Sequence, residues 1–593
     1  MKKWVWVFSV FLLAATGLGQ VLDPAIVVSN AGGDQGWPQA CYNPVNNEYL
    51  VVWEEYRNQG TTGSDIWGQI VLGDGTLRGD NFSIVNTPGD QYWPRLDFDP
   101  VRNRYLIVFQ EHRYESNGDI AGVFVDQDGK KVPTAYSLAD STFMIDNVTG
   151  GIYICSVAYN YIDELYLAVW GDFRNDTYFG DGDIYGQVIT AEGDFRPMPS
   201  MGKAAGGTGY PIANEADKNE LVCDVSFCAE TREWFVVFGE GQYSEDTVKG
   251  VRVNRYGQLV KPDGTLGMEK MVVAPYTYWC PDGTQPRVQF SNETPAAVGK
   301  RMAWGDWAEC LVVWCHAWMG DTGGRDIYGQ RIGFVTHAEA HDLGWNPSTQ
   351  SDTLFYAAYI DSSGSLDPEN TSNVAVCNAA QNQAVPELAY GAQDDEFMAA
   401  WPDMRTGEED TYGQQLTVKA TDGSLIWMAA DRVGTTAQDE NTGLATTADS
   451  EGHLVAVAHN TMDNEFLVVY GQRGSSSDLN LQARRVSGSA PTAVEEATNQ
   501  PQDFTVEANY PNPFNPETTI AYRLSGGGVV RCEVLDVRGR VVKVLGDGVQ
   551  SDGRQTVIWD GTDRAGQSVA TGVYFYRIHY NGKQVTRKMM LLR

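Results

Sequence analysis

Acidic residues recur at one place in this sequence, two positions after an aromatic residue that ends an apolar stretch. The recurring residues are Glu55, Glu111, Asp172, Glu240 and Asp403, and a further copy of the stretch carries His316 at that position. An arginine follows the acid by two residues at Arg57, Arg113, Arg174 and Arg405. In an extended strand residues i and i+2 share a face, so a repeated ion pair is the simplest interpretation. The alternative is a ring of carboxylates around a channel mouth, suited to a cation or a polar sugar.

Signatures of known enzyme classes are scarce in this sequence. The chain contains no GxSxG, HExxH or GxxxxGK[ST] pattern. Catalysis requires one unique arrangement of groups, whereas these acids are repeated with little change. We therefore assign no catalytic residue and expect a protein that binds an extracellular partner or acts as a scaffold. A polysaccharide-active hydrolase or lyase with acids at the channel mouth is the alternative.

The acids belong to a unit that occurs seven times. Its first part is an apolar strand such as YLVVWEEYR at Tyr49, YLIVFQEHR at Tyr105 and YLAVWGDFR at Tyr166. Its second part resembles DIYGQ, as at Asp183 and Asp326. A further strand precedes each unit and ends eleven residues before the repeat aromatic in six copies. The fifth copy departs from this spacing, since its preceding strand is predicted to end at Phe290, 24 residues before Trp314, which implies an insertion of 13 residues. We expect a special site there.

Four short strands per repeat with glycine-rich turns predict an all-β chain: a seven-bladed β-propeller closed by an N-terminal strand, followed by a small Ig-like β-sandwich. The segment from Ile26 aligns with the one from Phe82, so residues 25–29 read as a fourth strand without a blade of its own. The seventh repeat lacks that strand, and we expect the N-terminal strand to complete it. Two separate sheets or a linear solenoid are the alternatives. The predicted divisions are a signal peptide (1–20), the propeller (21–486), a linker (487–503) and the sandwich (504–593).

Two tryptophans lie in related turns before the first two apolar strands. Trp37 follows GDQG, Trp93 follows GDQY, and each is followed by proline. On the predicted topology these turns share a face with the repeated acids, so Trp37 and Trp93 are candidate platforms for a sugar. Packing between blades is the structural alternative.

Composition restricts the partners. The chain has 43 Lys and Arg against 77 Asp and Glu, a formal net charge of −34, which disfavours nucleic-acid binding. Residues 1–20 have a basic start and an apolar run typical of a secretory signal peptide, with an uncleaved anchor as the alternative. No later stretch is apolar enough for a transmembrane segment. The nine Cys form no CxxC pair, so we expect no zinc site. No cofactor is predicted, although Asp176, Asp181 and Asp183 could hold Ca²⁺.

A different module begins near residue 504. Its motifs are YPNPFNPETTI at Tyr510, LDVRGRVV at Leu535, WDGTD at Trp559, GVYFYRI at Gly572 and KMMLLR at Lys588. Residues 517–593 carry 12 Lys and Arg against 7 Asp and Glu, so the acid excess lies in the preceding chain. In these motifs the module resembles the C-terminal sorting domain, of the Ig-like type A, of the type IX secretion system. An ordinary Ig-like binding domain is the alternative.

The resemblance implies an address rather than an activity. It implies recognition by the type IX secretion machinery after export to the periplasm, secretion or display at the outer cell surface, and attachment to surface lipopolysaccharide. The residues that it marks as a sorting signal are Tyr510, Pro511, Asn512, Pro513, Gly572, Tyr574 and Lys588. The preceding repeats resemble no specific known family, so the ligand is not implied.

Overall fold

The protein is described from a computed structural model. The described residues are 25–113, 118–147, 151–174, 182–196, 209–215, 219–228, 231–242, 245–254, 258–260, 270–274, 296–301, 308–317, 325–336, 355–360, 366–367, 374–377, 383, 386–391, 396–404, 410–418, 425–427, 431–432, 455–473, 478–487, 504–506, 509, 514–524, 526–535, 541–564, 566–569, 572–580 and 583–591.

Antiparallel sheets make up the described part of the repeats. A short strand, β1 (Ile26–Ser29), precedes them. The first sheet has β2 (Gln35–Asn43), β3 (Glu48–Glu55), β4 (Asp65–Leu72) and β5 (Leu77–Val85). The second sheet has β6 (Gln91–Asp99), β7 (Arg104–Glu111), β8 (Asp119–Asp126), β9 (Lys131–Val132) and β10 (Phe143–Asp146). The third sheet has β11 (Ile152–Asn160), β12 (Leu165–Asp172), β13 (Asp183–Thr190) and β14 (Tyr210–Ala213).

The later repeats continue the pattern. The fourth sheet has β15 (Asn219–Cys228), β16 (Glu233–Gln242), β17 (Glu245–Asn254), β18 (Leu259–Val260) and β19 (Met271–Ala274). The fifth sheet has β20 (Ala296–Arg301), β21 (Ala308–Ala317), β22 (Arg325–Thr336), β23 (Phe355–Ile360), β24 (Leu366–Asp367) and β25 (Val374–Cys377). The sixth sheet has β26 (Glu387–Gly391), β27 (Glu396–Asp403), β28 (Asp410–Val418), β29 (Leu425–Trp427) and β30 (Asp431–Arg432). The seventh sheet has β31 (Val455–Asn460), β32 (Glu465–Arg473) and β33 (Leu479–Ser487).

The apolar strand of each repeat lies inside its sheet and is covered on both faces. In β3 every residue from Tyr49 to Trp53 is at most 1% exposed. A strand buried on both faces reads as a continuous apolar run rather than an alternating one. Neighbouring sheets share a core, since Leu50 and Val52 of the first sheet cluster with Ile107 and Phe109 of the second. Packing of sheet on sheet is therefore what the repeat sequence encodes.

The first strands of the sheets contact one another in a cyclic order. Cα atoms approach within 8 Å between β2 and β6, and likewise along the series β6, β11, β15, β20, β26 and β31. Strand β31 in turn contacts β2. The predicted pairing of the N-terminal strand is confirmed, because β1 runs antiparallel to β33 with Ile26 opposite Ala483. This pairing supplies the fourth strand of the seventh sheet and covers an otherwise open edge.

The fifth sheet differs from the sequence prediction. Its first strand is β20, in which Gly299 pairs with Cys310 at the place where Tyr42 pairs with Tyr49 in the first sheet. The proposed strand end at Phe290 was therefore wrong, and Phe290 itself lies outside the described residues. The error arose because this strand end has glycine instead of the aromatic that marks the other copies.

The C-terminal module is a separate pair of sheets. One contains β34 (Phe504–Val506), β35 (Thr518–Leu524) and β38 (Gly553–Trp559); the other contains β36 (Gly528–Leu535), β37 (Val541–Gln550), β39 (Gly572–Tyr580) and β40 (Lys583–Leu591). Their facing side chains form one apolar core around Trp559, Tyr522 and Tyr576, all fully buried. The module is therefore an all-β sandwich with a core of its own.

Candidate functional site

The repeated acids lie at the ends of the second strands, opposite the start of the DIYGQ strands. Glu55 pairs with Asp65, Glu111 with Asp119, Asp172 with Asp183, Glu240 with Thr247, His316 with Asp326 and Asp403 with Asp410. The repeat thus positions all six residues at one end of their sheets. Of His316 only the backbone is described.

Glu55 shows how the motif is built. Its carboxylate is fully buried and accepts hydrogen bonds from Arg57 Nη2 at 2.5 Å, Trp53 Nε1 at 3.2 Å and Gln35 Nε2 at 3.2 Å. The Arg57 guanidinium also stacks 3.9 Å above the ring of Trp67. The acid, its arginine, Trp53 and Gln35 therefore form one hydrogen-bonded unit, and Trp67 packs against it.

The second and third sheets repeat this unit. Glu111 is fully buried and accepts from Arg113 Nη2 at 2.8 Å and from Gln91 Nε2 at 3.1 Å. Asp172 accepts from Arg174 Nε at 2.8 Å, and Arg174 also contacts Asp146. Burial, opposed by Arg174 and assisted by Asp172, raises the pKa of Asp146 to about 6.

The fourth and sixth sheets keep the buried acid with other partners. The fourth copy has no arginine two residues later, and Lys270 contacts both Glu240 and Glu220, with a distance of 2.5 Å to the latter. Burial raises the pKa of Glu220 to about 7. Asp403 accepts from Trp401 Nε1 at 2.9 Å, whereas Arg405 lies outside the described residues. A lysine just before β19, a strand of the same sheet that pairs with β17, thus takes the place of the missing arginine.

These contacts favour the ion-pair interpretation of the repeated acids. A buried carboxylate requires a paired charge and hydrogen bonds, and the units of the first four sheets supply both from within the fold. The role of Glu55, Glu111, Asp172, Glu240, His316 and Asp403 in binding a ligand stays a prediction.

The GDQ turns join neighbouring sheets. Asp34 Oδ1 accepts from the backbone NH of Leu479 in the seventh sheet at 2.8 Å, and Asp90 Oδ1 accepts from the NH of Ser64 in the first sheet at 2.9 Å. Gly89 has φ of 100°, and a Cβ there would lie 2.8 Å from the Cα of Arg113. The turn is thus a joint between sheets that also packs against the acid–arginine unit.

Trp37 and Trp93 sit in a strained backbone conformation. Their φ values are 48° and 52°, which bulky L-residues rarely adopt. Each lies in a β-bulge of the first strand of its sheet, between Gly36 and Gln39 or between Tyr92 and Arg95. The two half-buried rings meet edge to face with centroids 5.8 Å apart. Bulges re-aim side chains next to functional sites, so this aromatic pair is the first part of the candidate site.

A buried carboxyl group holds one of these bulges. Glu54 of the first sheet accepts from the backbone NH of Trp93 at 2.6 Å and from the Tyr56 hydroxyl at 2.6 Å. Burial, only partly offset by these hydrogen bonds, raises the pKa of Glu54 to about 8. The strained Trp93 backbone is therefore fixed from the neighbouring sheet by a group that is mostly protonated at neutral pH.

The second part of the candidate site is a set of polar side chains at one repeat position. They pair in register with the residue just before the repeat aromatic: Gln39 with Val52, Arg95 with Val108, Ser156 with Val169, Asp224 with Val237 and Glu387 with Ala400. We call Gln39, Arg95, Ser156, Asp224 and Glu387 the polar ring. In the fifth and seventh sheets the equivalent residues are Ala296 and Ala456.

Side chains of the polar ring connect sheets that are distant in sequence. Arg95 Nη1 lies 2.7 Å from Glu387 Oε1, which also accepts from Gln39 Nε2 at 3.4 Å. Ser156 Oγ donates to Asp224 Oδ1 at 2.6 Å. Burial disfavours the charged form of Arg95, but the carboxylates of Glu387 and Asp224 outweigh it and raise the pKa of the guanidinium. The sequence analysis did not single out these residues. A signal was available, because the side chain at this one repeat position is an amide, a guanidinium, a hydroxyl or a carboxylate in different sheets.

The other predicted residues belong to the C-terminal module. Tyr574 in β39 is buried with its ring centroid 4.9 Å from that of Trp559. Gly572 and Lys588 lie in β39 and β40. Tyr510, Pro511, Asn512 and Pro513 lie outside the described residues. The sorting role of all seven stays a prediction.

Metal and membrane features were sought in the same described residues. They contain no group of three or more His, Cys, Asp or Glu side chains placed to hold a metal ion. They also contain no helix with the length and apolarity needed to cross a membrane. Asp176 and Asp181 of the suggested Ca²⁺ loop lie outside them.

Comparison with known proteins identifies one part of the chain. Residues 517–584 match the family model of the FlgD Ig-like domain, so the C-terminal module is Ig-like. No curated protein matches the chain.

Several solved structures show a distant likeness. A protein of unknown function from Dyadobacter fermentans has 9% identity and a TM-score of 0.38 over 79% of this chain and 99% of its own. The polysaccharide lyase Uly1 has 8% identity and a TM-score of 0.38 over the same shares. The plexin A4 extracellular region has 10% identity and a TM-score of 0.43 over 96% of this chain and 67% of its own. These low scores support no conclusion about activity.

Proposed function

We propose that the chain is an exported binding protein whose repeats form a closed seven-bladed β-propeller with its ligand site at the central channel. The cyclic order of contacts from β2 to β31 and back supports closure, as does the place of β1 beside β33. A closed array leaves no open sheet edge and brings the first strands of its sheets around one axis.

The observation that carries the proposal is the polar ring. Arg95 and Gln39 reach Glu387 across the array, from the second and first sheets to the sixth. Trp37 and Trp93 lie two residues from Gln39 and Arg95, towards the strand ends that pair with Glu55 and Glu111. Aromatic surfaces above a few convergent polar groups are the usual composition of a ligand site.

The repeated acids serve as joints in this proposal. Glu55, Glu111 and Asp172 are fully buried, and each is paired with an arginine. A general acid or base must reach the proton that it transfers, and these carboxylates are held away from solvent. Binding therefore accounts for the structure with fewer additional assumptions than hydrolysis.

Export and surface attachment complete the proposal. The basic and apolar start of the chain would direct it to the periplasm, and the Ig-like module would serve as a type IX sorting domain. Recognition by that secretion machinery and attachment to surface lipopolysaccharide would place the repeats outside the cell.

The export proposal is tested by removing residues 487–593 in a bacterium with type IX secretion. We expect the truncated chain to accumulate in the periplasm while the full chain reaches the medium or the cell surface. Equal export of the two forms would contradict the assignment of the module.

A polysaccharide-active hydrolase or lyase is the second candidate function. Its candidate general acid is Glu54, which contacts the Trp93 backbone and whose pKa is raised to about 8 by burial. Because Glu54 is as buried as the repeated acids, this candidate also requires the carboxyl group to become accessible when substrate binds. The test is turnover of polysaccharides by the full chain and by Glu54→Gln and Glu111→Gln. Turnover that either single substitution abolishes, in a variant with unchanged unfolding temperature, would establish an enzyme.

A further inference from the structure

We propose that the polar ring recognises the terminal residue of an uncharged glycan chain. This inference rests on the proposed binding function and specifies its ligand. It concerns Gln39, Arg95, Ser156, Asp224 and Glu387, a set that the sequence motifs did not single out.

The chemistry of the ring suits sugar hydroxyls. Arginine, glutamine and carboxylate side chains are planar groups with two adjacent donors or acceptors, so each can bind two neighbouring hydroxyls. The hydroxyl of Ser156 donates to Asp224, so this pair offers acceptor oxygens to the hydroxyls of a sugar. The rings of Trp37 and Trp93 supply apolar surface for the faces of a sugar.

The geometry of the ring explains why a chain end is recognised. Arg95 and Glu387 come from sheets on different sides of the array, yet their charged atoms are 2.7 Å apart. Gln39 joins the same carboxylate. A ligand that enters past Trp37 and Trp93 therefore meets a bridge of side chains and cannot pass through. Only the end of a chain fits such a site.

Charge determines which glycans are accepted. The ring contains one guanidinium and two carboxylates, and Arg95 is paired with Glu387. The whole chain has a formal net charge of −34, which repels anions at a distance. Uronic acids and sulfated sugars would therefore be disfavoured, and neutral sugars favoured.

The experiment is calorimetric titration of the full chain with neutral oligosaccharides of the cello, xylo, manno, laminari and chito series. We expect one series to bind, with affinity per chain changing less than about 2-fold from trisaccharide to hexasaccharide, since each chain has one recognised end. Blocking that end should remove binding. The inference would be overturned if affinity rose steadily with chain length, or if no neutral series bound. It would also be overturned if fragments of polygalacturonate bound more tightly than the neutral sugars, or if a proline-rich peptide alone bound.

Variants separate the ring from the rest of the site. Arg95→Met should weaken binding about 10-fold or more, because hydrogen bonds to a charged group are lost. The double variant Arg95→Met with Glu387→Met removes both members of the closest ion pair, so it guards against a defect caused by an unpaired Glu387. Arg102→Met is the control, because Arg102 is in the turn at the other end of the same sheet and pairs with Asp99. Equal affinity of the double variant and the wild type would contradict the ring's role.

Failure of the inference and failure of the proposed function are distinguishable. Trp37→Ala with Trp93→Ala, tested on cells for retention of polysaccharide or protein partners, examines binding at the channel mouth whatever the ligand. Loss of retention in this variant, together with no selectivity for chain ends, would leave the proposed function and remove the inference. Unchanged retention would contradict both the proposed binding function and the inference about the polar ring.

Discussion

The acid–arginine units recur at one repeat position of successive sheets, and the polar ring recurs at another. The two positions differ in how far their residue types change from sheet to sheet. The units keep a carboxylate and a cation wherever both are described, even when Lys270 must replace the arginine. The polar ring changes from amide to guanidinium, hydroxyl and carboxylate around the array. A residue type that is kept from repeat to repeat is expected to serve packing, because every repeat must pack against its neighbours. One that differs in each repeat can build a single asymmetric site.

Breaking an acid–arginine unit should cause the largest effect. Glu111→Ala removes the fully buried partner of Arg113, which keeps only the partly exposed Asp140, and we expect about 2 kcal/mol less free energy of unfolding. Urea denaturation followed by tryptophan fluorescence measures it. Arg102→Met removes a more exposed guanidinium from Asp99, Glu164 and Glu192. It should cost about 1 kcal/mol, because Asp99 keeps its hydrogen bonds from the Val101 NH and the Tyr159 hydroxyl. If both variants lost a similarly small free energy of unfolding, the acid–arginine unit would not have the structural role assigned to it.

Replacing both partners of the unit sharpens the same comparison. In Glu111→Met with Arg113→Met the buried carboxylate and its arginine are removed together. Asp140, the other partner of Arg113, is partly exposed and keeps its hydrogen bond from the Thr142 hydroxyl, so the double variant should recover most of the stability lost in Glu111→Ala. Ligand affinity should stay within about 2-fold of the wild type, since the unit lies outside the polar ring. If the double variant is stable but does not bind, the acid–arginine unit is part of the ligand site.

Acidity should affect the aromatic pair through Glu54. Its pKa is raised from an ordinary 4.5 to about 8, so the folded protein holds a proton that the unfolded chain releases between these pH values. The stabilising contribution of Glu54 is therefore present below about pH 4.5 and is lost as pH rises towards 8, by at most about 1.4 kcal/mol per pH unit.

The control for this pH dependence is Glu54→Gln, which mimics the protonated acid. The difference in free energy of unfolding between the variant and the wild type should grow in the variant's favour as pH rises. A difference that is constant from pH 5 to pH 8 would show that Glu54 does not titrate in this range. Other buried acids, such as Asp97 with a pKa near 6, cancel in this comparison.

Smaller effects are expected within the polar ring. Ser156→Ala removes one neutral donor to Asp224, so affinity should fall only about 3-fold to 10-fold. Ala456→Ser, at the equivalent position of the seventh sheet, is the matched change where no polar ring residue exists, and it should leave affinity unchanged. Equal effects of the two substitutions would indicate that the position matters only for packing.

The sequence predicted much of the architecture because its pattern is local and repeated. Apolar runs such as that of Tyr49 to Trp53 identified buried strands, and the likeness of the segments at Ile26 and Phe82 predicted the partner of β1 correctly. The fifth sheet was misread because Gly299 gave no aromatic marker. Local pattern therefore fails where an insertion and a missing marker coincide.

The candidate site was less accessible to sequence reasoning. The contact of Arg95 with Glu387 spans 292 residues and depends on the order of the sheets. The contact of Lys270 with Glu240 likewise joins residues 30 apart in sequence and depends on the pairing of β19 with β17. Trp37 and Trp93 were singled out, but their strained φ and mutual contact are properties of the folded bulges. The candidate site depends on contacts between residues far apart in sequence, and the spacing of residues along the chain does not predict such contacts.

The central claim is that binding resides in the polar ring and stability in the acid–arginine units. The most direct measurement gives both quantities, affinity for one neutral oligosaccharide and free energy of unfolding, for Glu111→Met with Arg113→Met and for Arg95→Met with Glu387→Met. The account predicts that the first variant binds as the wild type does and that the second is stable but binds at least about 10-fold more weakly. The reverse outcome, with binding lost in the first variant and kept in the second, would contradict it.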